Sequence, residues 1–205
     1  MPGPGKTKQE VLSEFRCLQI LQAARKVFAK KGFRETTVED IARAAGIAKG
    51  TLYLYFRSKG KIYLAALREG ILALHEKVRR EVEAAPGVQD KLRAFIFTRL
   101  KYFEENLDFF KIYHSEFGNI FSPPAELHKD FKNLSTKQAK ILELVLKEGI
   151  RRGALRRIQA APMAFAIYDL TRGLIARRLL GWSKASAADD AAFIFDVVWK
   201  GIEKR

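Results

Sequence analysis

The chain has 205 residues, 48% hydrophobic and 30% charged, with a net charge of +15. That apolar content excludes disorder throughout. No uncharged apolar run reaches the ~18 residues a membrane-spanning helix needs, and a lone cysteine, Cys17, excludes an internal disulfide and a cysteine-built zinc site. The basic excess suits a polyanionic partner and is concentrated at one end: residues 1–64 hold 13 basic and 5 acidic side chains. The start of the chain lacks the apolar stretch of a secretory signal, so a reducing cytoplasm is the expected location and no membrane partner is expected.

Residues 1–12, with Pro2, Gly3, Pro4, Gly5, Lys6 and Lys8, read as a flexible basic arm. From Ser13 to Lys31 the positions Leu18, Leu21, Ala24, Val27 and Phe28 share one helical face, and Gly32 ends that helix. Thr37-x-x-Asp40 is a variant of the capping box and opens a short helix carrying Val38, Ile41, Ala42 and Ala45. Gly46 breaks it, and Ile47 to Phe56 forms a third. Ser58 caps a long fourth helix from Lys59 to Ala84, closed by Pro86 and Gly87. Further helices are expected at Val88–Glu105, Leu107–Phe117, Asp130–Arg152, from the first-turn Pro162 to Leu180, and Ala187–Glu203, with a loop over Gly118–Pro124. No segment alternates as a strand would. The fold class is therefore all-α with about nine helices: an arm (1–12), a helix-turn-helix unit (13–62) and a helical body (63–205).

The informative stretch runs from Thr37 to Lys61. Two short helices joined by a glycine turn meet at a steep angle, with Ile41, Ala45, Ile47 and Leu52 as the buried seam and Ala42 small enough for the close crossing. Gly46 sits where the turn needs positive φ. The second of these helices is free to enter a major groove. On it, Lys49 suits a phosphate or a guanine edge, Gly50 a close backbone approach, Thr51 and Thr37 phosphate hydrogen bonds, and Tyr53 and Tyr55 phosphates or thymine methyls. Lys59 stands where a further phosphate contact is natural. Capping, solvated lysines and half-buried rings are the alternative readings of single residues; the spacing as a set favours double-stranded DNA.

The run from Thr36 through Ala42 and on from Ala45 to Lys59, with the preceding Ala23–Phe33, resembles the N-terminal signature of the TetR-type transcriptional repressors. The resemblance covers about residues 20–67. It implies a homodimeric repressor whose helix-turn-helix head reads a palindromic operator and whose helical body binds a small molecule that releases the DNA. By position, Thr37, Lys49, Thr51, Tyr53, Tyr55 and Lys59 match the family's usual DNA contacts. Ala48 stands where a hydroxyl residue is common, and Leu54 where a polar one is.

The body holds a concentration of rings. Phe95, Tyr102, Phe103, Phe110, Tyr113, Phe117 and Tyr168, with Arg99, His114, Asn106 and His75 as candidate polar anchors, form the expected wall of a pocket for a bulky apolar or aromatic effector, the alternative being a closed core. An acidic head on that effector, as in a fatty acyl group, is a further expectation. The last two helices are apolar on more than one face and are the expected dimer seam, with Tyr168, Thr171, Leu174, Ile175, Arg178, Ile194, Val197 and Val198 at the interface. Catalysis is not expected: His114-x-Glu116 lacks the cysteine pair of a deaminase, and His75, His114 and His128 lack metal-ligand spacing. No cofactor is expected. A DNA-binding regulator or accessory protein without a small ligand is the alternative function.

Overall fold

A computed structural model describes residues 7–117 and 125–204, with side chains except those of 113–117, 125–131 and 134. Among the described residues there are nine helices: α1 (Lys8–Glu35), α2 (Val38–Ala44), α3 (Lys49–Tyr55), α4 (Lys59–Ala84), α5 (Val88–Glu105), α6 (Leu107–Phe117), α7 (Ala125–Arg151), α8 (Ala160–Leu179) and α9 (Ala187–Ile202). The expected order holds. The expected loop at Gly118–Pro124 lies outside the described residues.

Two helix starts lie five residues before the positions the sequence suggests. Helix α1 begins at Lys8, inside the expected arm, because Thr7 caps it: the Thr7 hydroxyl accepts from the Glu10 amide at 3.2 Å, and the Glu10 carboxylate accepts from the Thr7 amide at 2.8 Å. This reciprocal pair satisfies two otherwise orphaned donors and starts the helix despite the glycines and prolines before it. Regular helix in α1 breaks at Gly32, as expected, before a final turn to Glu35. Helix α7 starts at Ala125 rather than Asp130.

One continuous apolar core runs from Ile20 in α1 to Ile202 in α9. Helix α4 is its spine, packing against α1 at one end and against α5 and α7 along the rest. Ile62, Tyr63, Ala66 and Leu67 of α4 are buried with Phe28 of α1, and Leu74, Val78 and Val82 continue into the body. The Arg25 guanidinium meets the Glu69 carboxylate at 2.5 Å, tying α1 to α4. At Gly70 a Cβ would lie 2.3 Å from the Phe109 ring, so the missing side chain lets α6 seat this ring on the backbone of α4. The Tyr102 hydroxyl also donates to the Gly70 carbonyl, at 3.3 Å.

The last turn of α8 is tied to the start of α9, and the segment before α8 is tied to the end of α9. At one end Arg178 of α8 reaches Glu104 of α5 at 3.0 Å and Asp190 of α9 at 3.2 Å, while Glu104 accepts from the first amide of α9, at Ala187, at 2.6 Å. At the other, Leu155 and Glu203 form an isolated antiparallel bridge, with the Arg156 amide donating to the Ile202 carbonyl at 2.9 Å and the Lys204 amide to the Ala154 carbonyl at 3.2 Å.

Candidate nucleic-acid interface

The α2–α3 corner is built locally. Thr37 caps α2 with Asp40 in the reciprocal arrangement its spacing predicts, both bonds at 3.1 Å. The turn closes through Gly46 at φ +67°, with the Gly46 amide donating to the Arg43 carbonyl at 3.2 Å and the Ile47 amide to the Ala42 carbonyl at 3.0 Å. That φ lies in the left-handed region, where a side chain is disfavoured. Ile41, Ala42 and Leu52 are buried, and Ala45 and Ile47 pack against them. The seam therefore consists of the residues expected from the sequence.

With Leu52 turned inward, α3 presents Ala48, Lys49, Gly50, Tyr53 and Leu54 to solvent. Leu54 is 84% exposed, an apolar side chain standing clear of the protein. Ala48 precedes α3 with no side-chain cap, as an alanine must. Thr51 is half-buried. Lys49 forms an ion pair with Glu39 on α2, which draws the Glu39 carboxyl below its ordinary range. Both partners are exposed, so the pair is weak and the ammonium can exchange it for a phosphate.

Two of the residues expected to meet DNA also pack within the chain. Tyr55 is half-buried and its ring packs against the core. The Lys59 ammonium donates to the carbonyls of Phe33, Arg34 and Thr36 at 2.7, 3.0 and 2.7 Å and lies 4.6 Å from the centre of the Phe33 ring. Its three N–H groups are thus all engaged by the unsatisfied end of α1, where a cation is favoured. The residue the spacing assigns to a phosphate instead holds α1 to the start of α4. Nothing in the sequence marks this, because the acceptors are main-chain carbonyls 23 to 26 residues earlier.

A second pairing also escaped the sequence reading. Lys31 meets Asp40 at 2.8 Å. The Lys31 ammonium, followed by the Thr37 amide and hydroxyl, holds the Asp40 carboxyl down at about 2.

In the body, Phe95, Arg99, Tyr102, Phe103, Phe110 and Tyr168 are all buried. The expected companions Tyr113, His114 and Phe117 lie outside the described side chains. Phe103 and Phe110 stack edge to face at 5.2 Å, and Phe109 and Phe110 at 4.9 Å. Arg99 is only 3% exposed. Its Nε donates to the Thr171 hydroxyl at 2.8 Å, a second nitrogen donates to the Gln138 side-chain oxygen, and the guanidinium lies 4.1 Å from the Tyr168 ring centre and 5.6 Å from that of Phe95. No carboxylate among the described residues pairs with it. Taking such a cation out of water is costly, and neutral acceptors offset only part of that.

Of the eight residues expected at the dimer seam, Tyr168, Thr171, Ile175, Ile194 and Val198 are buried in the chain's own core. Arg178 is engaged within the subunit by Glu104 and Asp190, and Leu174 is half-buried. Of the eight only Val197 stands exposed, and the other large apolar side chains exposed on this pair are Phe193 on α9 and Phe165 and Leu170 on α8. The physical reason is that both helices are apolar on two faces, and periodicity alone does not say which face is inner.

A short capped helix, a glycine elbow and an exposed second helix above a helical body define a helix-turn-helix DNA-binding protein. Comparison with known proteins agrees. The family model for bacterial regulatory proteins, tetR family, matches residues 20–66. The HTH-type transcriptional repressor KstR2 of Mycobacterium tuberculosis is 30% identical over 138 residues, spanning 67% of this chain and 68% of that protein. The HTH-type transcriptional regulator TtgR of Pseudomonas putida is 30% identical over 181 residues, 85% of this chain and 84% of that one. The crystal structure of FadR from Bacillus subtilis in complex with stearoyl-CoA superposes with a TM-score of 0.78 at 21% identity, over 91% of this chain and 99% of that chain. The protein belongs to the TetR family: it is a DNA-binding transcriptional regulator and not an enzyme. No helix among the described residues is long and apolar enough to cross a membrane.

Proposed function

We propose that the protein is a homodimeric repressor that leaves a palindromic operator when its body binds a bulky apolar small molecule. The observation that carries this reading is the single core running along α4 from the DNA-facing corner into the aromatic body. A ligand wedged among α5, α6, α7 and α8 pushes on α4, and α4 carries the corner with it. In a two-fold dimer the two α3 helices must sit about 34–36 Å apart to enter successive major grooves. A ligand that favours the wider spacing by several kcal/mol empties the operator, whereas equal affinity for both spacings shifts nothing. Within this reading residues 13–62 form the reading head and 63–205 the sensing and dimerising body. The head reaches the duplex through Thr37, Lys49, Gly50, Thr51, Tyr53 and Leu54.

The relatives support an apolar effector. FadR of Bacillus subtilis has been crystallised with stearoyl-CoA, and KstR2 of Mycobacterium tuberculosis is described as a ketosteroid transcriptional regulator. The test has two parts. Selection from random duplexes should return a sequence with two-fold symmetry. Thermal-shift screening with long-chain acyl-CoAs and polycyclic aromatic compounds should give a stabilising hit that also releases the selected DNA. Operator binding with silence across both ligand classes would leave a DNA-binding protein without this kind of effector.

A further inference from the structure

We propose that Arg99 is the docking point for the anionic head, a carboxylate, of the small molecule that enters the body. The inference rests on the ligand-responsive reading above and adds the chemistry of one end of the ligand. It begins from a contrast between arginines. Arg178, also largely buried, is matched by two carboxylates, Glu104 and Asp190. The partly buried Arg25 is matched by Glu69. Arg99 is more deeply enclosed than Arg25, yet the partners it shows are a hydroxyl, an amide oxygen and two ring faces. A folded chain tolerates an uncompensated interior cation poorly, and a guanidinium offers five donors in a fork that matches a carboxylate.

The placement suits a ligand head rather than a structural brace alone. Arg99 is on α5, Gln138 on α7 and Thr171 on α8, so the guanidinium stands where three body helices meet. Phe95 and Tyr168 flank it, and Phe103 and Phe110 are buried in the same core. This is a cation set within an aromatic interior, and a charge inside an apolar enclosure suits an apolar body that carries one negative charge. Thr171 and Gln138 hold the guanidinium in position while leaving donors for the incoming oxygens. Binding of the anion would draw α5, α7 and α8 onto one charge, and α4 packs directly on α5 and α7.

The test compares acids with neutral alcohols of the same shape on the full-length protein. Hexadecanoate is paired with hexadecan-1-ol, and 2-naphthoate with 2-naphthol, so that alkyl and aromatic sources of the carboxylate are separated. In the pair that binds, the acid is expected to bind at least about tenfold more tightly than the alcohol, the order of a charge-assisted hydrogen bond. Arg99→Gln should reduce that preference to within about threefold, and Arg99→Lys, which keeps the charge, should retain much of it. Equal affinity of acid and alcohol, or an acid preference that survives in Arg99→Gln, overturns the proposal, and so does binding by neither pair. The wild-type comparison stands even if a variant fails to fold. An alcohol that binds as well as its acid and still releases the operator would sink the Arg99 assignment while leaving the apolar-effector reading intact.

Discussion

The Lys59 ammonium sits among the carbonyls of Phe33, Arg34 and Thr36, so its charge completes the end of a helix instead of facing solvent. Lys59→Ala is expected to lower stability by about 1–2 kcal/mol, the scale of lost bonds from a charged donor at a half-buried site, read by urea unfolding. The salt dependence of DNA binding by the folded variant should keep its slope. A slope shallower by about 0.9 would instead return this lysine to a phosphate. Leu54 is the opposite case. It contributes little to packing, and Leu54→Ala should leave unfolding nearly unchanged while altering base preference. An exposed apolar side chain on a groove-reading helix matches the methyl group of thymine. Replacing operator thymines by deoxyuridine should weaken the wild type and have little further effect on Leu54→Ala. Indifference of the wild type to that replacement would remove the methyl contact. The two residues differ in legibility for the same reason: Leu54 acts on its surroundings through its own position in α3, whereas Lys59 acts on groups brought to it only by the folded path of α1.

At the scale of elements, local signals were read well and signals shared between distant segments were not. The Thr37–Asp40 cap and the Gly46 elbow follow from spacing over a few residues, and the structure has both. Thr7–Glu10 carries the same signal, masked in the sequence by the glycines and prolines before it. What spacing could not supply is the Lys31 ammonium beside Asp40, which makes the α2 cap dependent on acidity. Asp40 has its carboxyl held down from 3.8 to about 2 in the folded state. A lowered folded value means stability that is fully present above the ordinary carboxylate range and is lost as pH falls toward the folded value. Asp40→Asn should therefore unfold at a lower temperature than the wild type at pH 7, and the gap should close between about pH 4 and pH 2. A gap of constant size through that window would show that the ionised carboxylate contributes nothing to the cap.

For the molecule as a whole, the all-helical order and the reading corner were legible, and the role of each face of the last two helices was not. Five of the eight seam residues chosen from periodicity are buried in the chain's own core, and the large apolar side chains exposed on these helices are Phe165, Leu170, Phe193 and Val197, the last of them one of the eight. If these meet a second copy across a two-fold axis, Phe193→Asp with Val197→Asp should halve the mass seen by sedimentation equilibrium without loss of helical signal. Affinity for the two-fold operator should fall at least about a hundredfold, because paired half-sites no longer act as one. A dimer that persists in this double variant would move the interface elsewhere. The ties of α8 and the segment before it to α9, the Glu104–Arg178–Asp190 cluster and the Leu155–Glu203 bridge, carry one more consequence. They make the helix pair a stiff frame that resists shear. In the proposed dimer, displacement imposed from inside the body would then pass along α4, which packs on α1 as well as on α5 and α7.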